Sequence, residues 1–153
     1  MARKRVTQRQ RSIVAQRAHG CCEYCRCPEF FSPVRFSIEH ILPQSTEEEI
    51  DLENLALACQ ACNNHKYDKT QGFDPITGEL VSLFHPRRET WKIHFAWSFD
   101  YTLIVGLTPT GRATIETLQL NRQNVVNVRA FLYEVGKHPP AEIEAILVIR
   151  GLS

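Results

Sequence analysis

The chain has 153 residues, 43% of them hydrophobic, with 18 lysines and arginines against 17 aspartates and glutamates for a formal net charge of +1. That is enough apolar material for a folded core, which excludes compositional disorder, and no run of about 18 apolar residues suggests a membrane-spanning helix. The length suits one ordinary domain, or a small catalytic module with an appendage.

The charge is unevenly spread. Residues 1–20 carry Arg3, Lys4, Arg5, Arg9, Arg11 and Arg17 and no acid, whereas Glu47-Glu48-Glu49-Ile50-Asp51-Leu52-Glu53 is acidic. A basic arm of this kind can bind phosphates or simply form a solvated helix face. The start, Met1-Ala2-Arg3-Lys4-Arg5, has the charge of a signal peptide but not the apolar segment that should follow. The expectation is a cytoplasmic protein with reduced thiols and no membrane partner. In that setting six cysteines read as metal ligands before they read as disulfides.

In chain order, Thr7 and Gln10 have capping-box spacing, predicting a helix to about Ala18 with Ile13, Val14 and Ala18 inward. Cys22-Glu23-Tyr24-Cys25 follows as a tight turn. Phe36, Ile38, His40 and Leu42 alternate with other residues, predicting a strand that ends at Pro43. Asn54-Leu55-Ala56-Leu57-Ala58 reads as a second strand and Cys59-Gln60-Ala61-Cys62 as a second turn. A helix is predicted from Asn63 to about Thr70, closed by Gly72. Asp74-Pro75-Ile76-Thr77-Gly78 is turn chemistry. Strands are expected at 80–84, 93–97 and 103–107, with Trp91, Phe95 and Trp97 as core. Three helices close the chain. Thr110 caps the first. Asn121 caps the second, with Val125, Val128, Leu132 and Val135 as its inner stripe, and Pro139-Pro140 opens the third, with Ile143, Ile146 and Leu147 on one face. The fold class is α+β: a metal-rich module over residues 1–71, beginning with the basic helix, and an α+β extension over 72–153 packed against it.

Cys22-x-x-Cys25 and Cys59-x-x-Cys62 carry the strongest signal. Each pair can wrap one side of a tetrahedral Zn²⁺, and a four-cysteine site has no open position, so its role is structural. Cys21 and Cys27 are left over, and Cys21 is an alternative to Cys22 with a less usual spacing. Between the two pairs lies a polar set: Glu39 beside His40, then Asn54, with Asn63, Asn64, His65 and Lys66 after the last cysteine. A carboxylate beside an imidazole can bind a hard cation and activate water, and Mg²⁺ needs only one or two protein oxygens. Alternate strand residues face opposite ways, so Glu39 and His40 share one site only if the strand bends or bulges there.

Together these positions resemble the HNH endonucleases of the four-cysteine zinc subgroup. The resemblance runs through Cys22-Glu-Tyr-Cys25, Ile38-Glu39-His40-Ile41-Leu42-Pro43 and Asn54-Leu55-Ala56-Leu57-Ala58-Cys59-Gln60-Ala61-Cys62-Asn63-Asn64-His65-Lys66, about residues 20–70. It implies a ββα-metal unit in which two antiparallel strands and a helix grip one catalytic metal, with zinc outside that site. It implies His40 as general base, Glu39 as metal ligand, Asn54 as support for the loop that orients His40, and Asn63 as metal ligand on the helix. Asn63 stands where many relatives have His, and Glu39 where Asp is frequent. Helical residues two apart diverge, so Asn63, not His65, is expected at the metal. The implied reaction is hydrolysis of DNA, with RNA as the alternative nucleic acid, to 5′-phosphate and 3′-hydroxyl ends. Mg²⁺, Mn²⁺ or Ni²⁺ would be the catalytic metal, and Arg5, Arg9, Arg11 and Lys66 would contact phosphates. The rival reading, a non-catalytic zinc-bound nucleic-acid binding module, explains the cysteines and the basic arm but leaves Glu39, His40, Asn54 and Asn63 without a task.

Overall fold

The computed structural model describes residues 5–45 and 48–141. Its elements run α1 (Gln8–Arg17), β1 (Ser37–His40), β2 (Leu55–Ala58), α2 (Gln60–Lys66), β3 (Gln71–Phe73), β4 (Leu80–Ser82), α3 (Trp91–His94), β5 (Phe95–Trp97), β6 (Ile104–Gly106), α4 (Pro109–Leu118) and α5 (Gln123–Glu134). The strands pair as three antiparallel hairpins, β1–β2, β3–β4 and β5–β6. The fold is α+β, with a ββα unit over β1, β2 and α2 and further α and β elements beyond it. Arg3, Lys4, Glu47 and the helix expected around Ile143, Ile146 and Leu147 lie outside the described residues. Among the described residues no helix is long and apolar enough to cross a membrane.

The first helix follows its local signals. Thr7 and Gln10 form a reciprocal capping box at the start of α1. Val14 and Ala18 are buried, but Ile13 is 37% exposed, so the inner face is narrower than the sequence suggests. In the hairpin, β1 and β2 stay in register from Ser37↔Ala58 to His40↔Leu55. All of Leu55–Ala58 is buried, with α1 packed against it.

Elsewhere tertiary contacts move the boundaries. The second helix starts at Gln60 rather than Asn63, because the Cys59 sulfur caps it by accepting from the Cys62 N–H at 3.5 Å. It ends at Lys66, with Tyr67 turned to a φ of 50°. Gly72 closes no helix. It lies in β3 where α4 crosses, and a Cβ there would collide with the Thr117 hydroxyl. Residues 91–94 form one helical turn before β5, instead of a strand. Thr108, two residues before the expected Thr110, caps α4 by accepting from the Gly111 N–H. Asn121 caps nothing. Its amide pairs with Ile104, and Arg122 takes the cap position of α5. The buried face of α5 is Val125, Arg129 and Leu132, while Val128 and Val135 are exposed, because the buried guanidinium finds carbonyl partners inside.

One hydrophobic cluster joins Val14, Tyr24, Leu55 and Leu57 to Phe84, Trp91, Phe95, Ile104, Leu118 and Leu120. The core therefore crosses residue 71 without a break. Helix α4 is central to it, lying against α2, β3, β4 and β6.

Candidate metal centre and catalytic cleft

The two C-x₂-C turns meet where the end of β2 passes the loop after α1. The sulfurs of Cys22, Cys25, Cys59 and Cys62 lie within 4.8 Å of one another and all four residues are buried. A Zn²⁺ tetrahedron with bonds of about 2.3 Å has edges of about 3.8 Å, and Cys25 and Cys59 stand 3.7 Å apart. Each turn aims an N–H back at its own first sulfur, Cys25 to Cys22 and Cys62 to Cys59, both at 3.5 Å. The group is a buried four-cysteine cluster able to hold a metal ion, and the donor set suits zinc. Among the described residues no disulfide forms. Cys21 lies outside the cluster, its thiol directed at the His19 carbonyl. Burial, followed by the neighbouring sulfurs, pushes the Cys27 thiol up to about 12.

The other polar residues surround a cleft of about 340 Å³ between the hairpin and α2, bordered by Glu39, His40, Pro43, Asn63, Tyr67 and Asp68. His40 is the half-buried last residue of β1. The pairing is regular up to it, so the expected bulge is absent, although Glu39 and His40 both border the cleft. Glu39 turns inward at 5% exposure. Its Oε1 accepts from the Tyr24 hydroxyl, and its Oε2 faces Lys66 Nζ at 3.4 Å without accepting a hydrogen bond. Burial raises the Glu39 carboxyl above its ordinary value, with Lys66 and Tyr24 pulling the other way.

Asn54 lies under the loop that follows His40. Its Oδ1 accepts from Leu42 N and its Nδ2 donates to Leu42 O, both at 2.9 Å, while Ile41 N donates to the Asn54 carbonyl at 2.9 Å. Three hydrogen bonds thus fix the chain directly after His40. Asn63 borders the cleft from the first turns of α2, whereas His65 is exposed and does not border it.

Two of the four residues expected to contact phosphate are engaged inside the protein. Lys66 is 2% exposed, and its ammonium donates to the Ile41 carbonyl at 2.7 Å as well as pairing with Glu39. It sits on the inner face of the last turn of α2, so its place is structural and not on a phosphate surface. Arg11 donates to the Phe36 carbonyl at 2.8 Å and pairs with Glu29 at 3.3 Å, tying α1 to the start of β1. Arg5 and Arg9 are exposed.

Some participants carry no sequence signal. Tyr67 and Asp68 reach the cleft because α2 stops at Lys66 and the chain turns there. Arg122 and Arg129 reach the cluster from the far end of the chain. Arg122 donates to Cys59 Sγ at 3.3 Å and to Cys62 Sγ at 3.6 Å, and Arg129 to the Cys25 carbonyl at 3.3 Å. Burial would lower the Arg122 pKa, but the sulfurs of Cys62, Cys25 and Cys59 outweigh it and the net shift is upward.

The HNH endonuclease family model matches residues 22–69. No curated protein and no solved structure matches the chain.

Proposed function

With residues 22–69 an HNH-family domain that carries a four-cysteine metal cluster, we propose that the protein is a metal-dependent endonuclease that hydrolyses DNA phosphodiester bonds. The observation that carries this reading is the cleft itself: Glu39, His40 and Asn63 border one space, and Asn54 fixes the chain that leaves His40. A binding module has no need of that arrangement.

In this reading His40 takes a proton from the attacking water as it adds to the phosphorus, and the P–O3′ bond breaks with the 3′ oxygen taking a proton from solvent, giving 5′-phosphate and 3′-hydroxyl ends. Glu39 and Asn63 would hold a divalent cation such as Mg²⁺, Mn²⁺ or Ni²⁺, which supplies charge neutralisation on the phosphate when bound. Both Glu39 carboxylate oxygens have partners, Tyr24 on Oε1 and Lys66 on Oε2 at 3.4 Å, so holding the cation would require Glu39 to give up one of them. Lys66 steadies Glu39 and the Ile41 carbonyl together, which sets the angle at which β1 ends. The four-cysteine zinc stays outside the chemistry and ties the turn after α1 to the start of α2. Arg5 and Arg9 are the exposed cations left to meet the duplex. A cytoplasmic setting, with its reduced thiols, suits such a cluster.

The test is nicking of supercoiled plasmid by pure protein, with EDTA and then with Mg²⁺, Mn²⁺ or Ni²⁺ added back. His40→Ala should lower the rate at least about 100-fold, the lower end of what a positioned base supplies, with zinc content and circular dichroism unchanged. A folded His40→Ala protein that cuts at the wild-type rate would remove His40 from the mechanism. DNA binding without cleavage in any metal would leave only the binding-module reading.

A further inference from the structure

A buried Zn²⁺ with four thiolates carries a formal charge of about −2, and removing such a charge from water is costly unless donors surround it. The two turns supply one N–H each, to Cys22 and to Cys59. The remaining help comes from outside the matched domain. The connection between α4 and α5 is shaped to deliver it. Leu118 and Leu120 are fully buried, Gln119 between them reverses the chain at a φ of 52°, and Asn121 is fastened to Ile104. Arg122, next in the chain, then spreads its guanidinium across the second turn, with one nitrogen 3.3 Å from Cys59 Sγ and the other 3.6 Å from Cys62 Sγ. The Gln119 carbonyl, 3.1 Å from Nη1, fixes the plane of the fork. Seven residues on, Arg129 holds the carbonyl of Cys25 in the first turn. One helix and its cap thus brace both halves of the cluster.

We propose that Arg122 is a positioning residue of the metal centre: its planar guanidinium bonds two of the four sulfurs and sets how long the module keeps its metal. This rests on the reading of the cysteines as a metal site. A full positive charge on the thiolates withdraws electron density from sulfur, which makes them poorer targets for protons and oxidants. Arginine suits the place because its fork spans two acceptors, where an ammonium is a single point charge.

The experiment compares full-length wild type, Arg122→Gln, Arg122→Lys and Val125→Ala. Val125 is buried on the same helix, so its truncation loosens α5 without removing a donor to sulfur. Two quantities are read: the rate of zinc transfer to a coloured chelator, and the sulfur-to-metal charge-transfer band of the cobalt-substituted protein. Changes to groups around a metal's ligands shift affinity roughly 10–100-fold, so Arg122→Gln should release zinc faster within that range. Its cobalt band should move to lower energy as the thiolates become richer in electrons. Arg122→Lys should show both effects more weakly, and it decides the matter if the glutamine variant does not fold. Val125→Ala should leave the band in place. Wild-type release and an unmoved band in both Arg122 variants would overturn the proposal, as would a Val125→Ala protein that matches Arg122→Gln. Wild-type protein that takes up neither zinc nor cobalt would overturn the metal reading itself.

Discussion

Among the described residues, two asparagine amides each bond both the backbone N–H and the C=O of a single residue, one in each half of the molecule. Asn54 holds Leu42 at 2.9 Å and 2.9 Å, and Asn121 holds Ile104 at 2.8 Å and 2.9 Å. The surroundings differ. Around Asn121 the site is closed: Ile104 is 2% exposed, and Arg129 donates a further bond to the Asn121 oxygen. Around Asn54 the bonded residue, Leu42, lies between His40 and Pro43, which both border the cleft. The same pair of hydrogen bonds therefore ties down buried packing in one place and the chain beside the cleft in the other. The halves also differ in what fills their centres. The hairpin and α2 close around four cysteines, whereas the extension closes around Trp91, Phe95, Leu118 and Leu120.

The metal gives the largest expected effect. Structural zinc contributes on the order of 10 kcal/mol of apparent folding free energy in small modules, so Cys59→Ser should abolish zinc retention and the cooperative thermal transition of residues around the hairpin. Elemental analysis and a circular-dichroism melt report this, and an unchanged melting temperature in zinc-free Cys59→Ser would erase the contrast between the halves. Leu118→Ala should follow, at about 2–5 kcal/mol, the usual range for a truncated core leucine. Its cost should appear in denaturant titration with the zinc content intact.

The asparagines sharpen the comparison most directly. Asn54→Ala and Asn121→Ala each strip the bonds from one residue's backbone N–H and C=O and should cost about 1–3 kcal/mol. Only Asn54→Ala should slow nicking by more than its loss of folded protein explains, and equal activity losses would mean that neither position is special to the cleft. The smallest effect concerns the arm. Replacing Arg5 and Arg9 with Ala should reduce the log–log salt slope of DNA binding by about 0.9 per lost phosphate contact. Arg11→Ala should lower the melting temperature instead, since its guanidinium is engaged with Phe36 and Glu29. A salt slope that falls only with Arg11→Ala would reverse that assignment.

Much of the module was legible because its signals are local. A capping box needs only Thr7 and Gln10, and the cysteine turns carry their spacing with them. What escaped depended on partners far away in sequence. Asn121 has the look of a helix cap, but a β6 peptide 17 positions earlier competes for its amide and wins. Lys66 resembles a solvent-facing helix residue until β1 supplies it a buried carboxylate and the residue after β1 a carbonyl. Arg129 interrupts an apolar stripe, which no periodicity argument anticipates, because its stabilisation comes from carbonyls at Cys25, Thr102 and Leu120. The cleft residues Glu39, His40 and Asn63 could be named from their order, while Tyr67 and Asp68 join them only through the way α2 stops.

The unbroken core has a consequence for how such a module could be recombined or grafted. The first cysteine turn hands two of its carbonyls across the boundary: the Trp91 indole donates to Tyr24, and Arg129 to Cys25. Phe84 meets the Tyr24 ring edge-on from the same side. A segment cut out at residue 71 and spliced into another protein would arrive with these groups facing water or a foreign surface. To travel, the hairpin must take its floor with it, so the unit of inheritance here is longer than the motif by which it is recognised.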